Sequence, residues 1–182
     1  TLDRSSAASD VYKRQVGVTE TWVYPQLALV PMLLAKILST PLIAVMGASG
    51  AYLIAWAVLV TVLDAIAFAV LVGRSPSQPR RMAAWFWITA LLLLGPIAMY
   101  RIDAITVPLA VIGGLWLVSR PAAAAALLAI GAWIKIWPGA LLVAAVVAAR
   151  SRMRVLLTAA AVSAVVVLSL IHISEPTRQA EI

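Results

Sequence analysis

The sequence predicts an all-α fold: a polytopic transmembrane helical bundle of about five membrane segments, some broken or re-entrant. Three observations predict it. The chain of 182 residues is 64% hydrophobic and only 12% charged, where soluble domains run at about 45–50% and 25%. Apolar runs long enough to cross a hydrocarbon core of about 30 Å alternate with short links rich in Arg and Pro. Gly and Pro recur inside those runs, where a bundle interior tolerates them because neighbouring helices satisfy the freed backbone. A disordered chain, a disulfide scaffold (there is no cysteine) and a water-soluble enzyme with an ordinary surface are excluded. The net charge of +7 would suggest nucleic acid in a soluble protein. Its distribution along the chain points to a bilayer instead, with no nucleic-acid partner expected.

The two ends read differently from the rest. Residues 10–15 are DVYKRQ and residues 168–173 are LSLIHI. The string GATGTGTATAAGAGACAG encodes the first, and its reverse complement encodes the second. An inverted repeat at both ends of a reading frame is what translated library adapters leave. Thr1–Gln15 and Leu168–Ile182 are therefore set aside as adapter-derived, and Val16–Val167 is read as an internal fragment of one integral membrane domain. This removes His172, the only histidine, from any catalytic role. Residues 16–167 keep ten basic residues and three acids, Glu20, Asp64 and Asp103.

The elements follow in order. ETWVYPQLALVPMLLAKILSTPLIAVMGAS (20–49) carries Pro31, Pro41 and Lys36, which suit a surface-lying or re-entrant helix begun at Tyr24-Pro25 better than a lipid-facing span. Residues 50–72 are a nearly unbroken apolar run closed by Gly73, and the polar link RSPSQPRR covers 74–81. Residues 82–100 make a second span with a kink at Gly95-Pro96. The turn Arg101-Ile102-Asp103 leads into a shorter run, 104–119, ended by Arg120-Pro121. Residues 121–149 would form a straight helix of about 43 Å, too long for one span, with Lys135 and Pro138 near its middle. RSRMR (150–154) precedes the last run. Trp22, Tyr24, Trp85, Trp87, Tyr100 and Trp116 fall near the proposed ends, as an aromatic belt would.

Arginine placement orients the bundle. Arg74, Arg80 and Arg81, with no acid among them, put the 74–81 link in the cytoplasm and the 101–103 turn outside. A segment over 121–149 that dips outward and returns, with Lys135-Ile136-Trp137-Pro138 at its apex, keeps Arg150, Arg152 and Arg154 inside. It also places Lys135 on the side of Arg101 and Asp103. A simple span would put those three arginines outside.

The chemistry available is narrow. Phosphate loops, nucleophile elbows and metal-ligand spacings are all lacking, and residues 16–167 contain neither His nor Cys, so metal sites and thiol chemistry are nearly excluded and no cofactor is expected, while a metal requirement is left open. Charges at membrane depth or at its edge are the functional candidates, because burying them is expensive. Arg101 and Asp103 read either as an interfacial helix cap or as a phosphate clamp with Asp103 orienting the guanidinium. Lys135 reads either as a snorkelling lysine or as a point charge for a lipid-linked phosphate. Lys135 lies between Trp133 and Trp137, which are one helical turn apart and would share a face with each other if the helix continued. Asp64 suits a helix–helix hydrogen bond or ion pair better than a proton relay. Glu20 is a loop carboxylate or an acceptor-sugar ligand.

The string YRIDAITVPLAVIGGLWLVSRPAAAAALLAIGAWIKIWPGALLV (100–143) resembles the bacterial glycosyltransferase family 87. Members show an aromatic-Arg-x-Asp turn, an apolar helix, an Arg-Pro start, and a Gly/Ala-rich helix ending in Lys-x-x-Pro; Arg101, Asp103, Lys135 and Pro138 occupy those positions. Glu20 followed by Tyr24-Pro25 is similar to a second family stretch, although Gln26 replaces its second proline. The resemblance implies a mannosyltransferase-like enzyme of the C-type glycosyltransferase superfamily in the bacterial inner membrane. Such an enzyme passes a sugar from a polyprenyl-phosphate donor to a lipid-linked or glycolipid acceptor on the extracytoplasmic side. It makes Arg101, Asp103, Lys135 and Tyr24 substrate contacts. It also places the catalytic base in a loop before Val16, with Asp103 and Glu20 as weak substitutes, so that residues 16–167 alone are expected to be inactive. The residues by themselves leave a transporter or a non-catalytic membrane protein open, since charges at helix breaks also mark transporter sites.

Overall fold

The structure is a computed structural model that describes residues 25–73 and 77–179, with side chains through His172. Among the described residues every regular element is helical. A 3-10 turn, Gln26–Ala28, leads into α1 (Leu29–Ser39). A second, Thr40–Leu42 with Pro41 inside it, leads into α2 (Ile43–Val72). Then come α3 (Gln78–Leu94), the short α4 (Pro96–Met99), α5 (Asp103–Trp116), α6 (Pro121–Ile134), α7 (Pro138–Ala148) and α8 (Arg152–Gln179).

Helices end where the sequence removes their backbone partners or demands a left-handed turn. Pro96, Pro121 and Pro138 each open a helix, at the first position, where the missing N–H has no partner to lose. Gly73 (φ 62°) and Gly95 (φ 52°) close α2 and α3 in conformations that only glycine adopts without cost. Gly95-Pro96 thus ends α3, and the expected kinked span over 82–100 is two helices. α3 also starts earlier than expected, so Arg80 and Arg81 lie in its first turn. α2 is bent at Gly47 (φ 71°, ψ 164°), where no described atom would meet an added Cβ. Gly47→Ala therefore carries only backbone strain. It should cost about 1–2 kcal/mol in a denaturant titration of the detergent-solubilised chain.

The 121–149 stretch is broken as expected. α6 stops at Ile134, Lys135 is extended (φ −148°, ψ 134°), and α7 begins at Pro138. The two arms fold back on each other. Ala125 near the start of α6 and Ala145 near the end of α7 share one buried cluster, while at the elbow Gly131 faces Pro138 so closely that a Cβ would stand 3.2 Å from its ring. α5 runs antiparallel to α6, and the two pack tightly at Gly113: a Cβ there would meet Leu128 Cγ at 3.0 Å and the Ala124 carbonyl at 3.3 Å. Gly113→Ala should cost about 1–2 kcal/mol by overpacking, read in the same titration.

The helices pack around two buried cores. One joins Trp56 and Val60 of α2 with Ala104 and Ile105 at the start of α5, Ile134 at the end of α6, and Ala28 and Ala35. The other joins Ala110, Ala125, Leu128, Ala145 and Val155, with Leu117, Trp137 and Ala149 packed against it. The first core flanks Asp103 and Lys135. The second includes Val155 and has Ala149 packed against it, next to Arg154 and Arg150 in the chain.

Two stretches are long and apolar enough to cross a membrane: Gln26–Val72, taken through its bends, and Arg152–His172. α5, α6 and α7 are apolar but shorter. α8 passes Leu168 without interruption and continues to Gln179.

Candidate functional site

Three charged side chains meet at the first core. Arg101 lies on the turn between α4 and α5, Asp103 is the first residue of α5, and Lys135 occupies the break between α6 and α7. Arg101 Nε stands 3.6 Å and Lys135 Nζ 3.5 Å from the same atom, Asp103 Oδ2. The carboxylate accepts a hydrogen bond from the lysine. It thus bridges two cations, and it lies in the first turn of α5, where the helix dipole favours an anion. Both distances exceed the 2.7–2.9 Å or so of a tight charge-assisted bond. The Asp103 and Lys135 side chains are 30% and 25% exposed, that of Arg101 65%.

The scaffold behind this cluster explains why it forms. Trp56, 5% exposed, donates its indole N–H to the Met99 carbonyl at 2.8 Å. That bond pins the Tyr100–Ile102 turn to α2. Thr106 Oγ1 donates to the Asp103 carbonyl at 3.2 Å, securing the first turn of α5. On the other side, Trp133 donates to Ser163 Oγ of α8 at 3.0 Å, which holds the end of α6 and with it Lys135. Trp137 turns instead into the second core. The break at Lys135 therefore separates the two tryptophans, and the shared face expected of a continuous helix is not formed.

A cavity of about 610 Å³ starts at the cluster. Arg101 and Asp103 lie along its wall together with Phe86, Trp87 and Leu91 of α3, and Asp64 of α2. Asp64 lies two helical turns, about 12 Å along the axis, beyond Trp56. Comparison with family models, characterised proteins and solved structures gives no match. Two cations gathered by one carboxylate, one of them lining an apolar cavity, can hold an oxyanion whose remainder is apolar.

Of the residues singled out from the sequence, Arg101, Asp103 and Lys135 come together. Asp64 reaches the same cavity but makes no hydrogen bond or ion pair among the described residues, so the helix–helix pairing expected of it is not formed. Glu20 and Tyr24 lie outside the described residues. Trp56 and Ser163 were missed. A tryptophan far from the ends of an apolar run and a serine in another were the available signals, since each carries a polar group that seeks a partner when buried. Among the described residues no group of three His, Cys, Asp or Glu could hold a metal.

Proposed function

We propose that residues 16–167 belong to an integral membrane glycosyltransferase of the bacterial inner membrane, with about five membrane segments. It moves a sugar, mannose being the first candidate, from a polyprenyl-phosphate donor to a lipid-linked or glycolipid acceptor on the extracytoplasmic side. The observation that carries this reading is the convergence of Arg101 and Lys135, from separate elements, on Asp103 Oδ2, beside an apolar cavity that Arg101 and Asp103 help to line. In the reaction the acceptor hydroxyl attacks the anomeric carbon and loses its proton to a carboxylate base, while the bond to the lipid phosphate breaks. The departing phosphate gains negative charge as that bond lengthens. Arg101 and Lys135 stabilise it, and Asp103 keeps the two cations together until it arrives. Tyr24, outside the described residues, is a further substrate contact in this reading.

The test is sugar transfer by the complete reading frame that carries residues 16–167, assayed with a labelled polyprenyl-phosphate sugar. Arg101→Ala and Lys135→Ala should each suppress transfer, and normal turnover in both would refute the reading. A transporter is the second reading. The short α6–α7 hairpin broken at a lysine favours it, and it predicts flux of a soluble substrate without any lipid donor.

A further inference from the structure

The cavity holds one charge that nothing answers. Asp64, Arg101 and Asp103 are its ionisable lining residues. Asp103 is met by both Arg101 and Lys135, whereas Asp64 has no hydrogen bond or ion pair among the described residues. Asp64 is half-buried, and a carboxylate beside apolar walls gains from a counter-charge placed against it. The walls beside it are those a cation with an apolar body would choose. Phe86 and Trp87 line the same space, and aromatic faces attract cations. The cavity is reachable, since Phe86 is 76% exposed. Its volume of about 610 Å³ lies within the range of about 300–1,000 Å³ typical of small-molecule sites.

We propose that this cavity is a binding site for a lipophilic organic monocation, with the charge at Asp64 and the apolar body against Phe86, Trp87 and Leu91. The cavity is shared with the phosphate reading at Arg101 and Asp103, whereas Asp64 has no part in that reading. Lys135 does not line the cavity, so sugar transfer by Lys135→Ala tests that reading alone and the two can fail separately.

The probe is tetraphenylphosphonium, titrated into the full 182-residue chain in lipid nanodiscs and followed by tryptophan fluorescence and equilibrium dialysis. Saturable binding is expected, and the neutral analogue triphenylphosphine oxide should bind at least about tenfold more weakly, as loss of a desolvated charge contact implies. Asp64→Asn, nearly the same shape, should weaken the cation by a similar factor, while Asp64→Glu should keep most of the affinity. Equal affinity for the cation and its neutral analogue overturns the proposal without reliance on any variant. So does wild-type affinity in Asp64→Asn, or the lack of saturable binding.

Discussion

Lys135→Ala is expected to lower kcat/KM for polyprenyl-phosphate-dependent transfer by about a hundredfold or more in the complete protein, and Arg101→Ala by less. The ranking follows from exposure. The lysine side chain is 25% exposed and the arginine side chain 65%. A charge contact largely removed from water can be worth several kcal/mol to a developing oxyanion, while a solvated one is screened. About 2.7 kcal/mol corresponds to a hundredfold. Lys135→Arg should recover only part of the loss, because a planar fork cannot copy a compact ammonium set in an extended stretch between two helices. Because the contact strengthens as the leaving phosphate gains charge, the loss should fall on kcat more than on KM. A change of twofold or less in Lys135→Ala would remove the lysine from the clamp.

Trp56→Ala should be the most damaging substitution to the fold, at about 3 kcal/mol, and should silence the site with it. The side chain is 5% exposed within the first core, and large-to-small changes at such sites cost about 3–5 kcal/mol. The low end applies if lipid surrounds the bundle, since apolar burial among lipid tails gains less than burial from water. Trp56→Phe separates the two contributions. It keeps most of the packing and loses the hydrogen bond to Met99, which should cost about 1 kcal/mol or less. A thermal denaturation series in detergent, read beside the transfer assay, distinguishes them. If Trp56→Phe keeps full stability and full transfer, the bond does not hold the Arg101 turn.

The breaks of this fold were legible because they are made by residue chemistry that acts locally. Pro96, Pro121 and Pro138 open helices wherever they stand, and Gly73 and Gly95 close them. The convergence of Arg101, Asp103 and Lys135 was legible for a different reason: counting helix reversals and arginines put all three at one end. What stayed hidden depends on rotation about helix axes, which hydrophobic periodicity cannot resolve in runs that are apolar all round. Trp56 looked like one more apolar residue until its indole was found on Met99. Asp64 was expected to find a partner on a neighbouring helix, yet its face of α2 opens on a cavity. The bend at Gly47 carries no proline and no polar flank to announce it, and the expected single span over 82–100 overlooked how completely a left-handed glycine followed by proline ends a helix.

The α6–α7 hairpin has a consequence for biogenesis. Its arms of 14 and 11 residues reach only about 21 and 17 Å, short of the roughly 30 Å of a bilayer interior. In a membrane neither arm could leave the translocon as an independent span, and an elbow at Lys135 met by lipid would expose unpaired backbone. The pair must therefore be delivered together into a slot whose walls already exist. α5 supplies one wall, and α8, which anchors Trp133 through Ser163, supplies the other. Insertion of this hairpin then waits on a helix synthesised after it. Truncating the nascent chain before α8 should leave the lysine elbow protease-accessible, and extending it past Ser163 should protect it.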